Sequence, residues 1–163
     1  MEDSPRRISP RPAPGRLFHH RGKFQRGQAS LEILIVLLFL IPILFGAFEL
    51  SRGVAVRSAL DSGVGIAVRA LAIDPTQWAW AGIAVTQTVN QNVFGTAGVG
   101  TPHLEAYNSA DLLINEGISA LSYGVPFYLE GWVVYTPQIP LISLSPGSIT
   151  IRVRHWGVIE RMN

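Results

Sequence analysis

Residues 26–52 read RGQASLEILIVLLFLIPILFGAFELSR, and this stretch decides the fold because an uncharged apolar block lies between Glu32 and Glu49. At about 1.5 Å per residue, residues 33–48 give about 24 Å of helix, and residues 29–50 give about 33 Å. The second length spans the roughly 30 Å hydrocarbon core of a bilayer. Because lipid tolerates only a backbone whose hydrogen bonds are internal, we predict a transmembrane helix over residues 28–50.

Charge is distributed unevenly on the two sides of this block. Residues 1–27 contain seven Lys or Arg and two acidic residues, a net charge of +5. Residues 28–163 contain six basic and nine acidic residues, a net charge of −3. The positive-inside rule therefore predicts a single-pass topology with a cytoplasmic N-terminus and an extracytoplasmic domain over residues 51–163.

The basic leader, residues 1–27, has no apolar periodicity, and we expect its first 25 residues to be disordered. A nucleic-acid-binding arm is one interpretation of such a segment. A topology determinant that rests on anionic lipid is the simpler one, so no nucleic-acid partner is expected. The chain contains no cysteine, which excludes disulfides, thiolate nucleophiles and Cys-ligated metals and leaves the redox compartment open.

The junction before the apolar block differs from that of an ordinary secretory signal. A secretory signal needs a small-x-small cleavage site directly after its apolar run, whereas Glu49-Leu50-Ser51-Arg52 follows here. Small residues instead precede the run, and Glu32 lies five residues after Gly27. This is the layout of a prepilin-type leader.

On these residues the sequence resembles the TadE-like pseudopilins of the tight-adherence (Flp, type IVb) pilus machinery. Residues 26–29, Glu32, the pattern Gly46-x-x-Glu49-x-x-Arg52 and an Ala/Gly/Arg-rich continuation through residue 69 carry the resemblance. It implies a protein of the bacterial cytoplasmic membrane that acts in pilus assembly, secretion and cell adhesion. The implied partners are the lipid bilayer, other pilin-like subunits, a prepilin-type peptidase and an assembly platform.

The resemblance also implies a processing site at Gly27 and Gln28, with cleavage after Gly27 leaving Gln28 as the new N-terminus. Two positions depart from the family pattern: Ile33 replaces an aromatic residue, and Pro42 lies later than the usual proline. We expect Pro42 to kink the helix modestly, since it removes one backbone hydrogen bond.

Glu32 is predicted to act in subunit assembly. An ionised Glu drawn toward the bilayer centre costs about 2.5 to 3.5 kcal/mol, so it needs a compensating partner. A newly cut α-amino group on a neighbouring subunit would serve. The alternative is that Glu32 only occupies the first helical turn, where the helix dipole favours it and Ser30 caps the helix.

Glu49 and Arg52 are three residues apart on one helical face. They form a possible docking pair, or more simply a local ion pair worth tenths of a kcal/mol where the helix leaves the bilayer.

Beyond the span, apolar residues at helical spacing predict that the helix continues to residue 71. The predicted stripe consists of Leu50, Val54, Leu60, Val64, Val68 and Leu71. Asp74-Pro75 predicts the start of a second helix that runs to about Val93, with Trp78, Ala81, Val85 and Val89 on one face. Trp78 and Trp80 fit either an anchor at the membrane interface or packing in the core or at its edge. Residues 95–102 are predicted to form a flexible link.

The C-terminal part predicts a short helix over residues 108–123 and two strands over residues 129–136 and 148–159. Arg152, Arg154 and Trp156 alternate with apolar residues and are expected on a solvated face. The fold class is therefore α+β, a single N-terminal transmembrane helix that extends into a pilin-like exterior domain with a small C-terminal antiparallel sheet.

Catalytic motifs are absent from the sequence, and His103 and His155 have no evident acidic partner. We predict no enzyme activity, no cofactor and no metal. The sequence favours a membrane-anchored pseudopilin-like structural or assembly component of a tight-adherence pilus or related secretion system. The alternative is an uncleaved bitopic envelope protein whose exterior domain binds a ligand or scaffolds another complex.

Overall fold

A computed structural model describes residues 22–93, 95–138 and 147–160. It contains helix α1 (Gly22–Ile73), helix α2 (Trp78–Asn92), strand β1 (His103–Asn108), a 3₁₀ helix (Asn115–Ala120), strand β2 (Pro126–Tyr135) and strand β3 (Ile149–Val158). The predicted α+β class is confirmed. The predicted disorder of the leader and the middle of the predicted β2–β3 loop lie outside the described residues.

Helix α1 contains the predicted span and continues without interruption through Pro42. It is the one helix in the described part of the chain that is long and apolar enough to cross a membrane. No residue in its most apolar 18-residue stretch is buried inside the protein. The contacts between residues divide the chain into two compact units, and the boundary lies after Phe39. The core described below lies entirely in the second part.

The C-terminal half of α1 forms the centre of that core. Its buried side chains recur at helical spacing, from Val56 to Ala72. They include Ala59, Leu60, Val64, Ala67, Val68 and Leu71. The predicted continuation of the helix to residue 71 is confirmed. Its apolar stripe is buried from Leu60 onward, whereas Leu50 and Val54, at its start, are 74% and 68% exposed.

The three strands form one antiparallel sheet in the order β1-β2-β3. Glu130 of β2 is opposite Glu105 of β1 and Arg154 of β3. One face of the sheet packs on α1, and two glycines make this approach possible. A Cβ at Gly131 would lie 2.3 Å from Val64 Cγ2, and one at Gly157 would lie 2.7 Å from Val68 Cγ1. The helix side chains occupy the space that strand side chains would fill.

Helix α2 packs on α1 through Ala81, Val85 and Val89, the face that the sequence predicts. Gly63 permits close contact, since a Cβ there would lie 3.1 Å from the Cα of Val85. The predicted start at Asp74-Pro75 is three residues early. Asp74 Oδ1 accepts hydrogen bonds from the backbone N–H and the hydroxyl of Thr76, which makes a turn before α2 begins at Trp78.

The helix predicted over residues 108–123 is wrong. Asn108 ends β1, and its Oδ1 accepts hydrogen bonds from the backbone N–H groups of Ala110 and Leu112. The same side chain that can cap a helix here closes a turn. Only the 3₁₀ helix follows, and its buried Ile118 joins the core.

Candidate functional site

The predicted processing site and assembly residue lie in the N-terminal part of α1. The Gly27–Gln28 bond is inside the helix, five residues after its first residue. Gln28 and Glu32 are exposed. Within the described residues, Glu32 has no hydrogen-bond or ion-pair partner, so nothing there compensates its charge in an apolar surrounding. The roles of Gly27, Gln28 and Glu32 stay predictions.

Glu49 occupies a different environment, although it ends the same apolar block. It is only 4% exposed and is the one buried charged side chain among the described residues. Its Oε1 accepts a hydrogen bond from the hydroxyl of Tyr135, at the end of β2, and another from the backbone N–H of Gln138 at 3.1 Å. Glu49 therefore fastens α1 to the end of the central strand.

Arg52 extends this arrangement to the segment after α2. Its Nη2 donates hydrogen bonds to the carbonyl oxygens of Gly95, at 3.2 Å, and Ala97, at 2.6 Å. Its Nη1 lies 3.8 Å from Glu49 Oε2. Residues 95–102, predicted as a flexible link, are thus held by α1 and also by β2, because Thr136 donates its N–H to Gly98 and Gly100 donates its own to Val134.

We call Glu49, Arg52 and Tyr135 the polar latch. Burial and the hydrogen bond to Glu49 raise the pKa of Tyr135 to about 12. The pair predicted from sequence as a local ion pair is largely shielded from solvent, with 4% of the Glu49 side chain and 10% of the Arg52 side chain exposed, and it joins three segments. Its docking role stays a prediction. Sequence alone could not find the latch, since Tyr135 lies 86 residues from Glu49.

An apolar pocket of about 320 Å³ adjoins the latch. One wall comes from α1 and the other from the ends of β2 and β3. Its lining comprises Glu49, Leu50, Gly53, Val54, Arg57, Tyr135, Pro137, Ile149 and Ile151, and nearly all the lining atoms are apolar. The exposed Leu50 and Val54, the first two residues of the predicted apolar stripe, therefore form a wall of this pocket.

The sheet face that does not pack on α1 combines aromatic rings with paired charges. Arg152, Arg154 and Trp156 are exposed there, as predicted. Both arginines bind Glu130, at 3.0 and 3.1 Å, and the Arg154 guanidinium lies 4.3 Å from the ring centroid of Tyr128. These contacts compensate much of the local positive charge, which fits the predicted solvated face better than a nucleic-acid surface.

His155 has an acidic partner, contrary to the sequence prediction. Its Nε2 lies 2.9 Å from Oδ1 of Asp61 on α1. The pair is partly exposed and links β3 to the helix across 94 residues of sequence, so no local pattern reveals it. In the parts of the chain that the structure describes, no group of three or more potential metal ligands occurs.

These features define an α+β protein with one N-terminal helix that can span a membrane and whose C-terminal half carries the core. A family model described as TadE-like protein matches residues 27–69. The resemblance stated from the sequence is confirmed over this stretch, which begins at Gly27 and ends within α1. Searches of curated proteins and of solved structures found no match.

Proposed function

We propose that this protein is a membrane-anchored pseudopilin-like component of a tight-adherence pilus or a related secretion system. It spans the bacterial cytoplasmic membrane once, with the leader in the cytoplasm and residues 51–163 outside. A prepilin-type peptidase cuts it after Gly27. The observation that carries the proposal is the TadE-like match, which starts at Gly27 and covers both the exposed apolar half of α1 and most of its buried half.

Lateral packing of the apolar helix is the proposed mechanism of assembly. The large apolar side chains from Leu31 to Phe48 are 42% or more exposed in the single chain, so lipid or other helices must cover them. Glu32 supplies specificity, because an unpaired carboxylate near the membrane edge favours a neighbouring cation. Cleavage creates such a cation at Gln28, one helical turn before Glu32.

A variant of Glu32 tests the assembly role. Glu32→Ala is expected to insert into the membrane normally but to be lost from sheared filaments and from cross-linked oligomers in the native host. Glu32→Gln should behave alike, because it keeps the size and loses the charge. Glu116→Ala, which removes an exposed carboxylate of the 3₁₀ helix, is the matched control. Normal assembly by both Glu32 variants would contradict the proposal.

The alternative function, an uncleaved anchor for a binding or scaffolding domain, predicts that none of these variants changes filament levels. It also predicts that the leader remains attached. The polar latch and the core would serve either function, so the N-terminal half of α1 distinguishes the two.

A further inference from the structure

We propose that Gln28 is a modification site of the mature chain: its side chain closes onto the α-amino group that cleavage creates and forms 5-oxoproline. This inference rests on the cleavage after Gly27 in the proposed function and goes beyond it. The ring removes the positive charge of the new N-terminus. It therefore decides whether Glu32 of a neighbouring chain finds a cation there.

The reaction is an intramolecular acyl transfer that needs no oxidant, metal or co-reactant. The lone pair of the α-amino nitrogen attacks Cδ of the Gln28 carboxamide, a bond between N and Cδ forms, and the bond from Cδ to Nε2 breaks. A proton passes from the amine to Nε2, so ammonia leaves, and the chain loses about 17 Da and its terminal charge. Amine and carboxamide belong to one residue, and this proximity replaces a bimolecular encounter.

The charge of the new N-terminus controls this reaction, because only the unprotonated amine attacks. After cleavage the amine lies at the N-terminal end of α1, where the helix macrodipole disfavours a positive charge. An apolar surrounding disfavours it as well. A carboxylate such as Glu32 has the opposite effect, since pairing keeps the amine protonated and unreactive. Chains whose amine has no carboxylate partner are therefore the ones that cyclise.

The helix accommodates the ring at this position. Gln28 is exposed, and within the described residues no other group binds its carboxamide. Long side chains in a helix point back toward its N-terminus, and cleavage removes the residues of α1 that precede Gln28. A ring that includes the backbone nitrogen has the geometry of proline, which the first helical position accepts. The modified chain therefore keeps α1 intact.

The charge that the ring removes has no substitute in the mature span. Lys23 is the only lysine of the sequence, and it leaves with residues 1–27. The first basic residue after Gln28 is Arg52, beyond the apolar block. The α-amino group is therefore the only cation that residues 28–51 offer to Glu32 of a neighbouring chain, and a capped chain offers none.

The absence of lysine from the mature sequence makes the test direct, because the α-amino group is then its only primary amine. The full-length protein is produced together with the prepilin-type peptidase, isolated from its native membranes and treated with an amine-reactive N-hydroxysuccinimide ester. Intact mass is then measured. We expect a chain that lacks residues 1–27, weighs about 17 Da less than the unmodified chain and takes up no label.

Gln28→Asn is the matched control. Asparagine keeps the carboxamide but is one methylene shorter, so the same attack would need a strained four-membered ring. The variant should lose residues 1–27 and take up the label. A variant whose amine is blocked as in the wild type would overturn the assignment of the modification to Gln28.

The distribution of the ring tests its consequence for assembly. A paired amine stays protonated, and a capped chain lacks the cation for Glu32. The capped share should therefore be several-fold lower among chains in cross-linked oligomers than among monomers from the same membranes. Equal shares would overturn the proposed effect on Glu32.

The outcomes also separate this inference from the proposed function. A chain that begins at Gln28, keeps its full mass and takes up the label would overturn the ring and leave the cleavage intact. A blocked chain that is heavier, through a methyl or acyl group on the amine, would overturn it as well. An uncut chain, labelled at Lys23, would contradict the proposed function and this inference together.

Discussion

Removing the carboxylate of the polar latch, by Glu49→Ala, should destabilise the domain strongly. The change deletes the acceptor of the Tyr135 and Gln138 hydrogen bonds and the negative partner of Arg52. Hydrogen bonds to charged groups contribute about 1.5 to 3 kcal/mol each, and breaking a buried ion pair costs about 3 to 5 kcal/mol. Because Arg52 keeps two carbonyl partners, we expect a loss of about 3 to 4 kcal/mol.

Urea unfolding of the full chain in non-ionic detergent measures this loss. All four tryptophans lie between residues 78 and 156, so their fluorescence reports on the domain and not on the span. Tyr135→Phe should cost about 1.5 to 3 kcal/mol. The double variant should cost less than the sum, since both changes remove the same hydrogen bond.

The control is Glu116→Ala, whose exposed side chain should matter by no more than about 0.5 kcal/mol. An effect of Glu49→Ala as small as that of the control, or strict additivity with Tyr135→Phe, would refute the reasoning about the latch.

The remaining predictions concern the tyrosines, the helix–sheet contact and the turn after β1. In the folded protein, absorbance at 295 nm should show that Tyr107 and Tyr135 titrate near pH 12. Tyr107 is hydrogen-bonded to Glu105. Tyr135→Phe should remove one of the two titration steps near pH 12. Because these raised pKa values exceed the unfolded value of about 10, their contribution to stability is complete below pH 10 and is lost as the pH rises through 12; an ordinary titration near 10 would contradict this. Gly131→Ala should lower the free energy of unfolding by about 1 to 3 kcal/mol, because the added methyl group forces Val64 aside. The control Gly82→Ala, in open space on α2, should be neutral or stabilise by up to about 1 kcal/mol. Equal effects of the two variants would show that α1 does not pack closely on β2. Asn108→Ala removes two hydrogen bonds of the turn and should cost about 0.5 to 2 kcal/mol in urea unfolding, and no measurable cost would contradict the assigned turn.

The elements that sequence predicts well are those whose signal is local. The apolar block and the helical spacing from Leu60 to Leu71 predict α1, and alternation around Val153 predicts β3. Even so, hydropathy could not show that Leu50 and Val54 lie outside the core, because a helical stripe does not say which neighbour covers it.

The elements that sequence misses depend on distant partners. Strand β1, HLEAYN, has no β-branched residue and is defined by its pairing with β2. The latch and the Asp61–His155 pair join residues 86 and 94 positions apart. The family resemblance suggested Glu49 and Arg52 by position, but the contacts that give them a structural role arise only from the fold.

The mature N-terminus tests the central claim most directly. Intact mass is measured on the protein from its native membranes, with and without the prepilin-type peptidase. Our account predicts loss of residues 1–27 only when the peptidase is present, with Gln28 as the first residue. A chain that keeps its leader in the presence of active peptidase would contradict the pilin-type function and favour an uncleaved membrane anchor.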